Sequence, residues 1–139
     1  MTDVNDWNTK IIEEFRANGG EVGGQFAGAP LLLLTTTGAK TGHKHTTPVM
    51  YLPEDDRLVV FASKAGAPTN PDWYTNLVAN GRATVEVGTE TFEVDAEVAG
   101  GPERDRLYAI QAELYPGFAE YQEKTTRVIP VVVLRRAGS

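Results

Sequence analysis

The sequence predicts an α+β domain built mainly on an antiparallel sheet or barrel, with peripheral helices. Six strand-like runs are separated mostly by short, turn-rich connections. Three helical segments fall between or outside the hairpins instead of alternating strictly with single strands, which disfavours a doubly wound parallel sheet. No Gly-x-Gly-x-x-Gly fingerprint opens any helix.

The first helix is predicted over roughly Val4 to Asn18, because Trp7, Ile11 and Phe15 recur at spacing four with Ile12 beside them. Asn18-Gly19-Gly20 ends it, and Gly23, Gly24 and Gly28 make a loose connection. Leu31 to Thr37 reads as a strand. Thr46 to Leu52 and Arg57 to Ser63 read as a hairpin turning at Pro53-Glu54-Asp55-Asp56. Pro71 to Asn80 reads as a short helix, with Asn70 as its cap and Pro71 in its first position. Ala83 to Val87 and Thr91 to Val98 alternate and pair through Gly88-Thr89-Glu90. Pro102 to Tyr115 carries Leu107, Ile110 and Leu114 on one predicted face, which sends Gln111 and Glu113 toward solvent or the edge of that face. Val128 to Leu134 is the last predicted strand, the one able to close a barrel.

The 139 residues fit one domain, and 41% hydrophobic content supplies one core. A net charge of −6 argues against nucleic acid as a partner. With no cysteine there is no disulfide, thiolate metal site or cysteine nucleophile. No signal-like segment opens the chain, and the longest aliphatic run, Leu31 to Leu34, is too short for a bilayer. A cytoplasmic protein is the expectation.

Three stretches carry candidate chemistry. Thr35 to Pro48 gathers Lys40, His43, Lys44 and His45, both histidines of the chain included, with Gly38 and Gly42 letting the backbone bend and hydroxyls flanking the turn. Exposed N–H groups, ammonium groups and hydroxyls describe an anion pocket; a polar hairpin turn with solvated lysines is the plainer alternative. The spacing is not that of a phosphate-binding P-loop. Ser63 to Leu77 runs from a strand end through a small-residue loop into a helix N-terminus, a place that favours anions, although Asp72 already occupies the first turn. Trp73 and Leu77, at spacing four, fit a core role. Tyr115, Phe118 and Tyr121 recur every three residues and form either a packed cap or an aromatic wall for a flat substrate, with a phenol able to donate a proton. His43 and His45 lack a third ligand nearby, so no metal site is expected. No Gly-x-Ser-x-Gly elbow is present.

Taken in order, Leu34-Thr35-Thr36-Thr37-Gly38-Ala39-Lys40-Thr41-Gly42, Thr46-Thr47-Pro48, Ala62 to Pro68, Asn70-Pro71-Asp72-Trp73-Tyr74-Thr75-Asn76-Leu77, Tyr115-Pro116 and Arg127-Val128-Ile129-Pro130-Val131 resemble the deazaflavin-dependent nitroreductase family. The resemblance covers nearly all of the chain beyond about residue 25. It implies a split β-barrel of the flavin-oxidase kind over 1–139, preceded within it by an amphipathic helix and Gly-rich connection over 1–24. It implies reduced coenzyme F420 as hydride donor, in actinobacteria and relatives, to a quinone, nitroaromatic or activated enone. Ala39, Lys40 and Thr41 would meet the coenzyme's anionic tail, and His45, Thr46, Thr47, Pro48, Val49 and Met50 would follow its ribityl–phosphate region. Phe61, Ala62, Ser63 and Lys64 would lie beside the ring, and Asp72, Trp73, Tyr74, Thr75 and Asn76 would complete the pocket. Met50, Tyr115, Phe118 and Tyr121 would face the substrate, with Tyr115 or Tyr121 as proton donor. The chain departs from the family at His45, where arginine is usual, at Ala39, commonly basic, and at Met50 and Phe118, where some relatives carry a hydroxyl. An FMN-dependent oxidoreductase on the same fold and a non-catalytic F420 carrier are the alternatives. A homodimer and an interfacial, inner-membrane role for the first helix are the further expectations about partners; few cations on that helix make the second weak.

Overall fold

The computed structural model of the protein describes residues 4–20, 31–54, 57–63, 70–125 and 128–137, with side chains from residue 9 onward. Its elements are α1 (Val4–Ala17), β1 (Leu31–Thr37), β2 (Lys44–Glu54), β3 (Arg57–Phe61), α2 (Asp72–Asn80), β4 (Arg82–Val87), β5 (Glu90–Ala99), α3 (Gly101–Leu114), α4 (Gly117–Lys124) and β6 (Val131–Arg136). The strands close an antiparallel barrel in the order β1-β2-β3-β6-β5-β4, completed by β4 pairing with β1. The predicted α+β barrel is therefore observed, and the closure is a gain over the sequence.

Strand alternation separates two environments. Leu32, Leu34, Val49, Val60, Val85, Val94, Val132 and Leu134 point inward and pack with Trp73 and Leu77 of α2. The spacing-four reading of that helix thus holds: α2 carries the chain from β3 to β4, and its apolar side packs on the inner core. The opposite faces need separate cover. Phe15, with Ile11 and Ile12 partly buried beside it, covers Leu31 and Leu33. The helices α3 and α4 cover Val59, Phe61, Val131 and Val133. Thr9, Lys10, Glu13, Glu14 and Arg16 of α1 face solvent, so its apolar side is spent on the barrel and gives no support to a membrane anchor. No described helix is long and apolar enough to cross a membrane.

Several boundaries differ from expectation. The helix α2 starts at Asp72, with Pro71 in the N-cap position and no side-chain cap bond. Strand β6 starts at Val131, after Pro130 uses its carbonyl to accept the Ala62 N–H at 2.9 Å. Residues 117–124 form a separate helix, α4, in a stretch where the sequence shows only aromatics recurring every three residues. The largest correction is the phase of α3. Its buried face is Leu107, Tyr108 and Gln111, while Leu114 is exposed. Tyr108 wins the core position because its ring packs edge-on against Phe61 and Phe118 and its hydroxyl donates to the Phe118 carbonyl at 2.5 Å.

Candidate active site

The basic turn between β1 and β2 is held from below by α2. The Asn76 side chain is buried; its Oδ1 accepts the Ala39 N–H at 3.0 Å and its Nδ2 donates to Thr36 Oγ1 at 3.1 Å. Asn80 Nδ2 donates to the Thr37 carbonyl at 2.9 Å. Within the turn, the Gly38 N–H donates to the His43 carbonyl at 2.7 Å and the Gly42 N–H to the Gly38 carbonyl at 2.9 Å. The His43 N–H donates to Thr41 Oγ1 at 3.2 Å. Gly42 has φ 74°, a left-handed conformation that suits glycine. Gly38 has no room for a side chain: an added Cβ would stand 2.6 Å from Thr41 Oγ1 and 3.3 Å from His45 Nε2.

These bonds alter the expected anion chemistry. Four N–H groups, those of Gly38, Ala39, Gly42 and His43, are already engaged. The turn's offer to an anion is therefore made mainly by exposed side chains, Lys40, Thr41, His43, Lys44 and His45. Lys44 Nζ donates to Thr37 Oγ1 at 3.0 Å, which directs the ammonium along the outer face of the β1–β2 pair.

Strand β2 sorts the expected coenzyme residues by face. Thr46, Pro48 and Met50 lie opposite Thr35, Leu33 and Leu31, on the outer side. The Thr35 and Thr46 hydroxyls are 2.8 Å apart and share a hydrogen bond. Thr47 and Val49 point the other way, and the Val49 side chain is part of the inner core. The outer side of one strand thus passes from an ammonium at Lys44 through hydroxyls to the half-buried thioether of Met50, where the cover of α1 meets that of α3 and α4.

Beyond Met50 lies an aromatic cluster with Phe118 at its centre. Its ring is 5.8 Å from Phe61, 6.5 Å from Tyr108, 6.5 Å from Tyr115 and 5.3 Å from Tyr121, each in edge geometry. Phe118 is 8% exposed and Phe61 4%, so both rings serve the outer core first. Tyr115 and Tyr121 are half-buried and form the accessible part of the cluster. Trp73 is likewise buried, Tyr74 is half-buried, and Asp72 and Thr75 are exposed on α2. Ala62 and Ser63 are buried at the end of β3, and Lys64 lies outside the described residues. No cluster of metal-ligating side chains occurs among the described residues.

Residues absent from the sequence reading hold this end in place. Arg104 donates to the Ile129 carbonyl at 3.0 Å and to Gln122 Oε1 at 2.6 Å, and its guanidinium lies 4.5 Å from the Tyr108 ring centroid. Gln122 Oε1 also accepts the Ile129 N–H at 3.1 Å. Arg106 grips Glu54 at 2.8 and 3.2 Å and Glu103 at 3.0 Å, while Arg57 also contacts Glu54, tying α3 to the β2–β3 hairpin. Arg106, helped by Arg57, holds the Glu54 carboxyl below its ordinary range. Gln111 is wholly buried, and its amide has no hydrogen-bond partner among the described residues. Leaving such a group unpaired costs about 1–3 kcal/mol. The spacing-four series Leu107, Gln111, Tyr115 was the signal for it in the sequence.

The barrel order, the packing of α2 and the helical covers define a split β-barrel. Within that class, the chain belongs to the F420H2-dependent quinone reductase family, whose model matches residues 7–136. An F420H2-dependent quinone reductase of Mycobacterium tuberculosis is 41% identical over 126 residues, 88% of this chain and 85% of that protein. A solved F420H2-dependent reductase is 40% identical, with a TM-score of 0.70 over 76% of this chain and 94% of that chain. Another solved chain, described as a domain-swapped dimer, is 36% identical, with a TM-score of 0.72 over 96% of this chain and 100% of that one. The protein is an enzyme, an F420-dependent oxidoreductase with reduced F420 as its hydride donor. Family membership thus selects F420 over FMN and turnover over storage.

Proposed function

We propose that residues 1–139 form one coenzyme-binding unit in which F420 lies along the outer side of β2. Its anionic tail meets Lys40, Thr41, Lys44 and His45. Its middle follows Thr46 and Pro48, and its ring reaches Met50 and the backbone at 61–63, with the start of α2 beside it. The observation that carries this reading is the gradient on one strand face, from Lys44 through the Thr35–Thr46 hydroxyl pair to Met50. It matches a molecule that is anionic at one end and planar at the other, and it is set apart from the protein's net charge of −6. Ala39 and Asn76 act in this reading by holding the turn, since the Ala39 N–H is spent on Asn76 Oδ1 and Asn76 Nδ2 on Thr36. Trp73, Tyr74 and Val49 act as packing behind the coenzyme.

The bound coenzyme supplies a hydride, and the protein's work is to position it, exclude water and deliver a proton. Tyr115 and Tyr121 border the buried Phe118 ring and present their accessible surface to a flat acceptor. A two-electron reduction of a quinone to a quinol consumes one hydride and one proton; either phenol, or water, donates the proton. The substrate class is electron-poor and planar: quinones first, with nitroaromatics and activated enones admitted by the same apolar wall. Pairing of two chains is a further part of the reading, supported by the relative described as a domain-swapped dimer.

The test is steady-state turnover with reduced F420 and one quinone, one nitroaromatic and one enone, on the wild type and on the double variant Tyr115→Phe, Tyr121→Phe. A drop in kcat of about 10²-fold or more in the variant, with little change in coenzyme affinity, is expected for a proton donor. Unchanged turnover would assign the proton to water.

A further inference from the structure

Gln111 is the only described residue whose buried side-chain polar atoms lack any partner. Both Nε2 and Oε1 are affected, and the residue has no solvent exposure. The contrast with Asn76 is direct, because that buried amide has a partner at each atom. Native folds seldom leave such groups unpaired, so an orphaned amide requires an explanation. Its position suggests one. Gln111 lies on the buried face of α3, one turn after Leu107 and Tyr108, and its own carbonyl accepts the Tyr115 N–H at 2.8 Å. On that face it stands between Tyr108, three residues before it, and Tyr115, four residues after it, and both of those rings meet Phe118.

A primary amide presents a donor and an acceptor side by side. A quinone oxygen is an acceptor only, but the same oxygen, once reduced, carries a proton and can donate. We propose that Gln111 is the polar anchor for the substrate oxygen: Nε2 donates to the quinone carbonyl, and Oε1 accepts from the quinol hydroxyl. This rests on the reading that the acceptor lies against Tyr115, Phe118 and Tyr121. The oxygen reaches the amide when α4 shifts outward. That helix has eight residues and no side-chain cap bond at its N-cap, Pro116. It is attached to α3 by the Tyr108–Phe118 and Arg104–Gln122 hydrogen bonds. The shift breaks these bonds and the edge contacts of Phe118 with Phe61 and Tyr108, so binding of the acceptor has to drive it.

Two measurements test the assignment. In the wild type with oxidised F420, which cannot reduce the acceptor, 2-methyl-1,4-naphthoquinone is titrated while the Gln111 side-chain NH2 resonances are followed, with those of Asn80 as control. A saturable shift confined to Gln111 is expected. In parallel, Gln111→Met should raise KM for the naphthoquinone about tenfold, leave the F420 Kd within about twofold, and raise the unfolding midpoint of the coenzyme-free protein by roughly 2–4 °C. A purely structural glutamine would instead lower the midpoint and leave KM alone. A static Gln111 resonance, or a Gln111→Met enzyme within about twofold of wild type in kcat/KM, overturns the proposal; should the variant not fold, the resonance decides. A wild type that reduces no quinone with F420H2 would sink the parent reading, and a resonance shift in that protein would still place the quinone oxygen at Gln111.

Discussion

The two ends of the β2 outer face are built in opposite ways. At the Lys44 end, the backbone is held from beneath by one buried amide, Asn76, and the basic side chains stand exposed. At the Met50 end, the side chains are themselves the structure, because Phe118 joins Phe61, Tyr108, Tyr115 and Tyr121 in one packed cluster. The first end can change its ligand chemistry by surface substitution at small cost to the fold. The second cannot change the aromatic wall proposed for the substrate without touching a core. Surface substitutions at the turn should therefore change coenzyme affinity without loss of stability, whereas removing a ring of the cluster, or the buried amide beneath the turn, should cost stability.

The comparison breaks first at Phe118. Phe118→Ala should cost about 3–5 kcal/mol of stability in a denaturant titration, as for other buried aromatics, while F420 affinity in the surviving folded fraction changes little. A loss below about 1 kcal/mol would mean that the ring is a free wall and not a core member. The next effect is at Asn76. Asn76→Ala leaves the Ala39 N–H and the Thr36 hydroxyl without their partner and should cost about 2–3 kcal/mol. It should also weaken F420 binding at least tenfold, because the turn loses its support; intact affinity would show that the turn holds itself. The smallest effect is acid sensitivity at the Glu54 clamp. Because Arg106 and Arg57 depress that carboxyl in the fold, its contribution is complete above the unfolded value of about 4.3 and is lost as pH falls through the depressed value. The wild type should lose more stability than Glu54→Gln between about pH 5 and pH 3, by less than about 1 kcal/mol. Parallel pH curves for the two proteins would show that the clamp contributes nothing.

The same contrast explains what could be read in advance. The barrel was legible because most turns are short, the β4–β5 hairpin alternates, and β1 and β6 are short aliphatic runs: Leu31–Thr37 has its predicted limits, and the β4–β5 hairpin differs by about one residue at each end. The basic turn was legible because its chemistry is local, with two lysines and both histidines within a few positions. Its N–H groups were misread, since the partners that occupy them are set by the fold, Asn76 being 37 positions from Ala39. The phase of α3 was misread because Leu107, Ile110 and Leu114 offer one apolar stripe and Leu107, Tyr108 and Gln111 another. Only the cluster around Phe118 decides between them, and it unites residues from β3, α3 and α4. Arg104 and Gln122 were missed for the same reason, as their roles are defined by partners distant in sequence, and Gln111 was placed toward solvent because the phase of α3 was misread.

The central claim is that F420 is held by its anionic tail at the exposed turn and lies along β2. The most direct test is fluorescence titration of the wild type and of the double variant Lys40→Ala, Lys44→Ala with F420 and, in parallel, FMN. The account predicts micromolar or tighter F420 binding by the wild type and much weaker FMN binding. It also predicts at least about tenfold weaker F420 binding by the double variant, with unfolding unchanged to within about 1 kcal/mol. Equal F420 affinity in the two proteins would contradict it and move the coenzyme to another face of the barrel.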